Sequence, residues 1–150
     1  MERYQASVLI NAPIESVFHF HDDTQNLLRI TPPGIRVSFT TSGDKGLGQV
    51  IHLKVRQFGI FVTSWHVRIT EYQPPSLMVD EQIRGPFAYW KQTRKLRVVG
   101  GKTELTDIVD YSVPFGLLGK LATVLVVRRQ IESMFAYRQQ ATKRILESEN

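Results

Sequence analysis

The sequence predicts an α+β fold: a seven-stranded, curved antiparallel sheet wrapped round a long C-terminal helix, with two short helices after the first strand. Three observations carry that expectation. Apolar and polar residues alternate with period two through most of the chain, as in half-buried strands. Turn chemistry divides the alternating runs from one another. From Phe115 or Gly116 to about Glu147 no proline interrupts a helical pattern, whose stripe is Leu117, Leu121, Val124, Ile131, Phe135 and Ile145. Such a stripe must be covered, and the concave face of the sheet is the surface available.

Tyr4, Ala6, Val8 and Ile10 alternate with Gln5, Ser7 and Asn11 as a first strand. Pro13 suits a first helical turn, and Ile14, Val17, Phe18 and His21 follow at helical spacing. Asp23 or Thr24 can cap a second short helix through Leu27, Leu28 and Ile30, which Pro32 and Pro33 stop. Six strands follow: 35–41, 48–57, 60–72, 77–84, 88–98 and 102–113. The turns between them fall at Ser42–Gly46, Phe58-Gly59, Pro74-Pro75, Gly85-Pro86 and Gly100-Gly101. With no repeat, linker or low-complexity tract, residues 1–150 are expected to form a single domain.

A chain of 150 residues can bury a core without staples, and 42% hydrophobic with 22% charged residues suits a soluble globular protein. No cysteine is present, which excludes disulfides, thiolate metal ligands and cysteine nucleophiles. Without a signal-peptide pattern or a long apolar stretch, the expected location is the cytoplasm. The formal charge is +5, but the basic residues are spread along the chain, so nucleic acid is not an expected partner.

The Gly100-Gly101 pair fixes which side chains point inward. A two-residue turn there opposes Val99 to Lys102, Leu96 to Leu105, Arg94 to Asp107, Gln92 to Val109 and Trp90 to Tyr111. Trp90, Leu96 and Val98 then share the apolar face with Leu105, Val109 and Tyr111. Arg94 and Asp107 lie on that face within reach of each other. At about 4 Å and an effective dielectric near 20 their gross attraction is about 4 kcal/mol, which desolvation can cancel. The pair is either a polar anchor in an apolar pocket or a satisfied ion pair at its edge. On the strand over 60–72, Thr63, Trp65, Val67 and Ile69 share the inward face, and a buried Trp65 indole needs an acceptor. The strand over 77–84 allows two registers. One turns Leu77, Val79 and Ile83 inward; the other opposes Gln82 to Trp90 and turns Met78, Asp80 and Gln82 inward.

Other signals carry less. Gly101-Lys102-Thr103 ends like a phosphate-binding loop, but Leu96 stands where its first glycine belongs and no helix follows. His19, His21, Asp22 and Asp23 are metal ligands by type only, since residues two apart on a helix do not face each other. No metal or cofactor is therefore expected. His52 and His66 read as isolated, solvent-facing strand residues. No serine-nucleophile motif occurs. Asp80 with Asp107 could serve as paired carboxylates, although Arg94 nearby favours their ionised forms.

The sequence resembles the SRPBCC superfamily, the helix-grip proteins that include START lipid-transfer domains, the birch-pollen-allergen family and polyketide cyclases. Its small bacterial members described as ligand-binding or cell-division-inhibitor-related are most similar. Ala12-Pro13 with Val17-Phe18, Asn26 with Ile30-Thr31-Pro32, and Trp65 with Ile69 and Glu71 carry the resemblance. So do Asp80-Glu81-Gln82, Gly85-Pro86-Phe87 and Trp90, then Thr103, Asp107, Tyr111 and Pro114, then Arg128-Arg129 and Phe135–Arg138. The resemblance implies that Asp80 and Gln82 face a cavity. Relatives often carry histidines where this chain has Gln92 and Arg94, so the resemblance brings no histidine-based proton transfer or metal site here.

The expected function is non-catalytic binding or transport of a small hydrophobic molecule (a lipid, quinone or polyketide-like aromatic). Trp65, Val67, Met78, Trp90, Tyr111, Leu121 and Phe135 would form its walls, and Asp80, Gln82, Gln92, Arg94 and Asp107 its polar contacts. A second reading is a cyclase- or dehydratase-type enzyme with Asp80 or Asp107 as general acid or base. A third is an interaction module, in which Leu117–Val127 contacts a membrane surface or a second copy of the chain.

Overall fold

The computed structural model describes residues 1–57, 61–114 and 121–149. Strand β1 (Glu2–Ile10) precedes helices α1 (Ile14–Asp22) and α2 (Asn26–Arg29). Six strands follow: β2 (Ile35–Ser42), β3 (Val50–Gln57), β4 (Phe61–Gln73), β5 (Leu77–Arg84), β6 (Tyr89–Val99) and β7 (Lys102–Ser112). Helix α3 (Leu121–Ser148) comes last. All seven strands form one antiparallel sheet in the order β1-β7-β6-β5-β4-β3-β2. This is the expected helix-grip architecture. The expected turn at Phe58-Gly59 and the expected start of the long helix at 115–120 lie outside the described residues.

Local chemistry explains the register. Gly100 and Gly101 both have positive φ (55° and 78°), the conformation that a type I′ hairpin needs and that glycine adopts freely. The β6–β7 pairs are those expected, from Val99 opposite Lys102 to Trp90 opposite Tyr111. Between β5 and β6 the second register holds: Met78 pairs with Arg94 and Asp80 with Gln92. Val98 departs from expectation. It is 61% exposed, because the hairpin tip extends beyond the core.

Helix α3 spans about 42 Å at 1.5 Å per residue, and its C-terminal half is fastened to β1 and to the residue that follows it. Gln139 Nε2 donates to the Ala6 carbonyl (2.9 Å) and Lys143 Nζ to the Leu9 carbonyl (2.6 Å), while the Asn11 amide donates to Glu147 Oε2 (2.8 Å). These bonds occupy backbone groups that an edge strand would otherwise offer to another chain. Thr103, fully buried on β7, donates to the Ala12 carbonyl at 2.7 Å and pins the turn into α1.

Two apolar clusters form between sheet and helices. One gathers Ile10, Phe18, Ile30, Ile69, Met78, Leu96 and Leu105 with Ala141 and Leu146 of α3. The other joins Trp90, Val109 and Tyr111 to Ile131 and Phe135. The cavity draws its walls from both.

Candidate functional site

The cavity measures about 390 Å³ and lies between the sheet, the two short helices and α3. That is within the usual range for small-molecule sites. Its apolar wall begins on the inner face of β4, where Thr63, Trp65, Val67 and Ile69 all line it as their alternation requires. Ile51, Leu53 and Val55 of β3 and Val37 of β2 extend that wall, and Val127, Ile131, Met134 and Phe135 of α3 close it. An aromatic cluster stands at one side. The Trp65, Phe87 and Trp90 rings lie 4.9–5.3 Å apart, and Phe135 is 6.4 Å from Trp90. The Trp65 indole N–H donates to Thr63 Oγ1 on its own strand (3.2 Å), so its acceptor is local.

One part of the lining is polar. Asp80 of β5, Gln92 and Arg94 of β6, His21 of α1 and Arg138 of α3 all line it. Burial pushes the Asp80 carboxyl up to about 6; Arg94 and Arg138 oppose the rise, and Asp107 and Glu81 add to it. Arg94 does favour the ionised form of Asp80, as expected, but desolvation outweighs the nearby positive charge. Burial, then Arg94 and Arg138, hold His21 well below the ordinary imidazole value, so it is neutral at physiological pH. Burial and Arg94 also bring Arg138 down to about 10, and its guanidinium lies over the Phe135 ring at 5.1 Å.

Arg94 Nε lies 3.5 Å from Asp107 Oδ1, which confirms the expected pairing as an ion pair although it lacks hydrogen-bond geometry. Glutamines hold the Asp107 carboxylate instead. Gln139 Nε2 donates to Oδ2 at 3.1 Å and Gln92 Nε2 to Oδ1 at 3.5 Å.

Eight of the twelve expected site residues line the cavity: Trp65, Val67, Met78, Asp80, Trp90, Gln92, Arg94 and Phe135. Four do not. Asp107 is on the inward face, but Gln139 covers it. Tyr111 is buried behind Phe87 and Trp90. Gln82 turns to its own hairpin, where Nε2 donates to the Phe87 carbonyl (2.7 Å) and Oε1 accepts from the Phe87 amide (3.3 Å). Gly85 makes room for this, since a Cβ there would sit 2.4 Å from Gln82 Oε1. Leu121 is 72% exposed. Ten residues before Ile131, it is rotated about 80° off the inward stripe, whereas Val124 is only about 20° off. Leu125 and Val126 are exposed as well, so the short helices do not cover this part of α3.

Sequence reasoning missed His21, Arg138 and Phe87. His21 follows Val17 and Phe18 at helical spacing and faces the cavity, while Asp22 turns away to accept from Tyr72 Oη (2.9 Å). His21 and Asp22 thus point in different directions. His52 and His66 are cross-strand neighbours with rings 4.2 Å apart, not isolated residues.

Residues 1–147 match the family described as "Polyketide cyclase / dehydrase and lipid transport". The chain belongs to this family. Among curated proteins none matches in sequence. Solved structures share the polyketide cyclase and lipid-transport fold at low identity. Protein CV1439 from Chromobacterium violaceum is 13% identical with a TM-score of 0.78, covering 98% of this chain and 99% of that one. A START superfamily protein from Mycobacterium smegmatis is 14% identical with a TM-score of 0.76, covering 99% of each chain. The di-domain ARO/CYC StfQ from the steffimycin biosynthetic pathway gives 12% and 0.82, covering 98% of this chain and 51% of its own. Family and fold together mark a hydrophobic-ligand-binding domain. No helix among the described residues is long and apolar enough to cross a membrane.

Proposed function

We propose that the chain is a single ligand-binding domain that holds a small, largely apolar molecule with one polar end and carries it without chemical change. The make-up of the cavity supports this reading: aliphatic and aromatic walls, with Asp80, Gln92, Arg94 and Arg138 gathered together in the lining. Apolar walls supply affinity, and a few polar groups fix orientation.

Nile red, a neutral hydrophobic fluorophore, tests it. The wild-type chain is expected to bind one dye per molecule with a blue shift. Ile131→Trp, which fills the cavity from α3, is expected to weaken binding about tenfold or more while far-UV circular dichroism is unchanged. A wild-type protein that gives no saturable shift with Nile red, or with a library of lipids and quinones, would sink the reading.

One observation favours a catalytic alternative. A carboxyl at about 6 in a cavity is poised to act as general acid or base near neutral pH. On that reading Asp80 serves as the acid of a cyclase- or dehydratase-type reaction, and Asp107, covered by Gln139, orients Arg94. Asp80→Asn is then expected to abolish turnover of a poly-β-ketone substrate by about 10²-fold or more with binding retained. Turnover that survives the substitution rules Asp80 out.

A further inference from the structure

His21, Asp80, Arg94 and Arg138 reach the polar end of the cavity from four different elements, α1, β5, β6 and α3. Three of their nitrogens are buried without a hydrogen-bond partner among the described residues: His21 Nε2, Arg94 Nε and Arg138 Nε. Folded proteins nearly always pair such groups, with protein, water or ligand. Asp107 gives none of these nitrogens a hydrogen bond, because it is held by Gln92 and Gln139 and meets Arg94 only as an ion pair at 3.5 Å. Two guanidinium groups, close enough that Arg94 depresses Arg138, thus direct positive potential into an apolar space.

Building on the reading of this cavity as a ligand site, we propose that Arg94, Arg138 and His21 form a receptor for the carboxylate of a hydrophobic acid, whose apolar body lies along Trp65, Phe87 and Trp90. Planar guanidinium forks match a carboxylate in shape and charge. Asp23 also lines the cavity but is exposed to solvent; with Asp107 set against Arg94, the buried polar groups carry about one positive charge in excess whenever Asp80 is protonated. That suits a monoanion rather than a doubly charged phosphate.

Asp80 is the internal competitor for the same cations. The charged and titratable groups around it are Glu81 on its own strand, Arg94, Asp107 and Arg138; His21 faces the same two arginines from α1. Ionised Asp80 opposes a bound anion, and protonated Asp80 does not. Binding of the acid therefore takes up protons and weakens as pH rises through the Asp80 transition. Any protonation of His21 induced by the anion acts in the same direction.

Competition against Nile red on the full chain, with dodecanoate and dodecanol as paired probes, separates the possibilities. At about pH 6, dodecanoate is expected to bind about tenfold or more tightly than dodecanol, and the advantage to shrink severalfold by about pH 8. Arg138→Gln should remove the advantage of dodecanoate over dodecanol; Asp80→Asn should flatten the pH dependence. Equal affinity for the two probes at about pH 6 overturns the carboxylate receptor while leaving the cavity reading intact, as does a preference that survives Arg138→Gln. If neither probe nor Nile red binds the wild type, the cavity reading itself has failed. Should Arg138→Gln not fold, the wild-type comparison of acid with alcohol decides alone.

Discussion

Asp107→Ala is expected to destabilise the protein by about 3–5 kcal/mol, because it leaves the buried Arg94 guanidinium without its carboxylate. The carboxylate is only 4% exposed and Arg94 only 14%, so water offers little relief. Gln139 keeps the Ala6 carbonyl as an acceptor for its amide, so the loss centres on Arg94 and on Gln92, whose Nε2 donates to Asp107. Replacing both members, as Arg94→Met with Asp107→Leu, is expected to recover most of that stability, since a buried pair can be exchanged for apolar residues at little cost. Urea titrations of the two single variants and the double variant measure the coupling. A cost below about 1 kcal/mol for Asp107→Ala would show that cavity solvent already satisfies Arg94, and that the pair has no structural role.

That ion pair was legible in the sequence because one local feature fixes it. Gly100-Gly101 permits a two-residue hairpin, and counting outward from it places Arg94 opposite Asp107 with no knowledge of the rest of the fold. The β4 wall was legible for a similar reason, since Thr63, Trp65, Val67 and Ile69 alternate on one side of a long strand. Residues contributed by helices were harder. Their direction depends on how each helix is rotated and seated on the sheet, which strand register does not specify. Leu121 was placed in the stripe although it is out of phase with Ile131. Arg138 is in phase with Ile131, two turns along in the same cavity wall, and a lone arginine on an apolar stripe was the signal that could have found it. His21 gave the same signal on α1 but was grouped with its sequence neighbours. Gln82 shows a different limit. Patterning left its strand with two registers, between which only the family resemblance chose, and its side chain bonds to the Phe87 backbone, a contact that the close approach at Gly85 allows and that periodicity does not reveal.

At about pH 8, Asp80→Asn is expected to stabilise the ligand-free protein by up to about 3 kcal/mol, and at about pH 4 to change it little. The sign follows from the carboxyl being raised in the folded state, from 3.8 to about 6. Between those values the folded chain binds the proton and the unfolded chain does not. Stability from this group is therefore complete below about pH 4 and is lost as pH rises through about 6. Asparagine keeps the shape of the side chain and cannot ionise, so it escapes the penalty. Denaturation midpoints of both proteins across this range give the difference curve, and a difference that does not grow with pH would mean that Asp80 is solvated through the cavity. The predicted cost also bears on function. Active and binding sites are a common place for residues that lower stability, because function can require the group that a stabilising substitution removes. An ionisable carboxyl that weakens the free protein at neutral pH, set beside two arginines whose Nε groups lack hydrogen-bond partners among the described residues, is what a proton-linked binding site requires. The same substitution should thus raise stability and remove the pH response of ligand binding together.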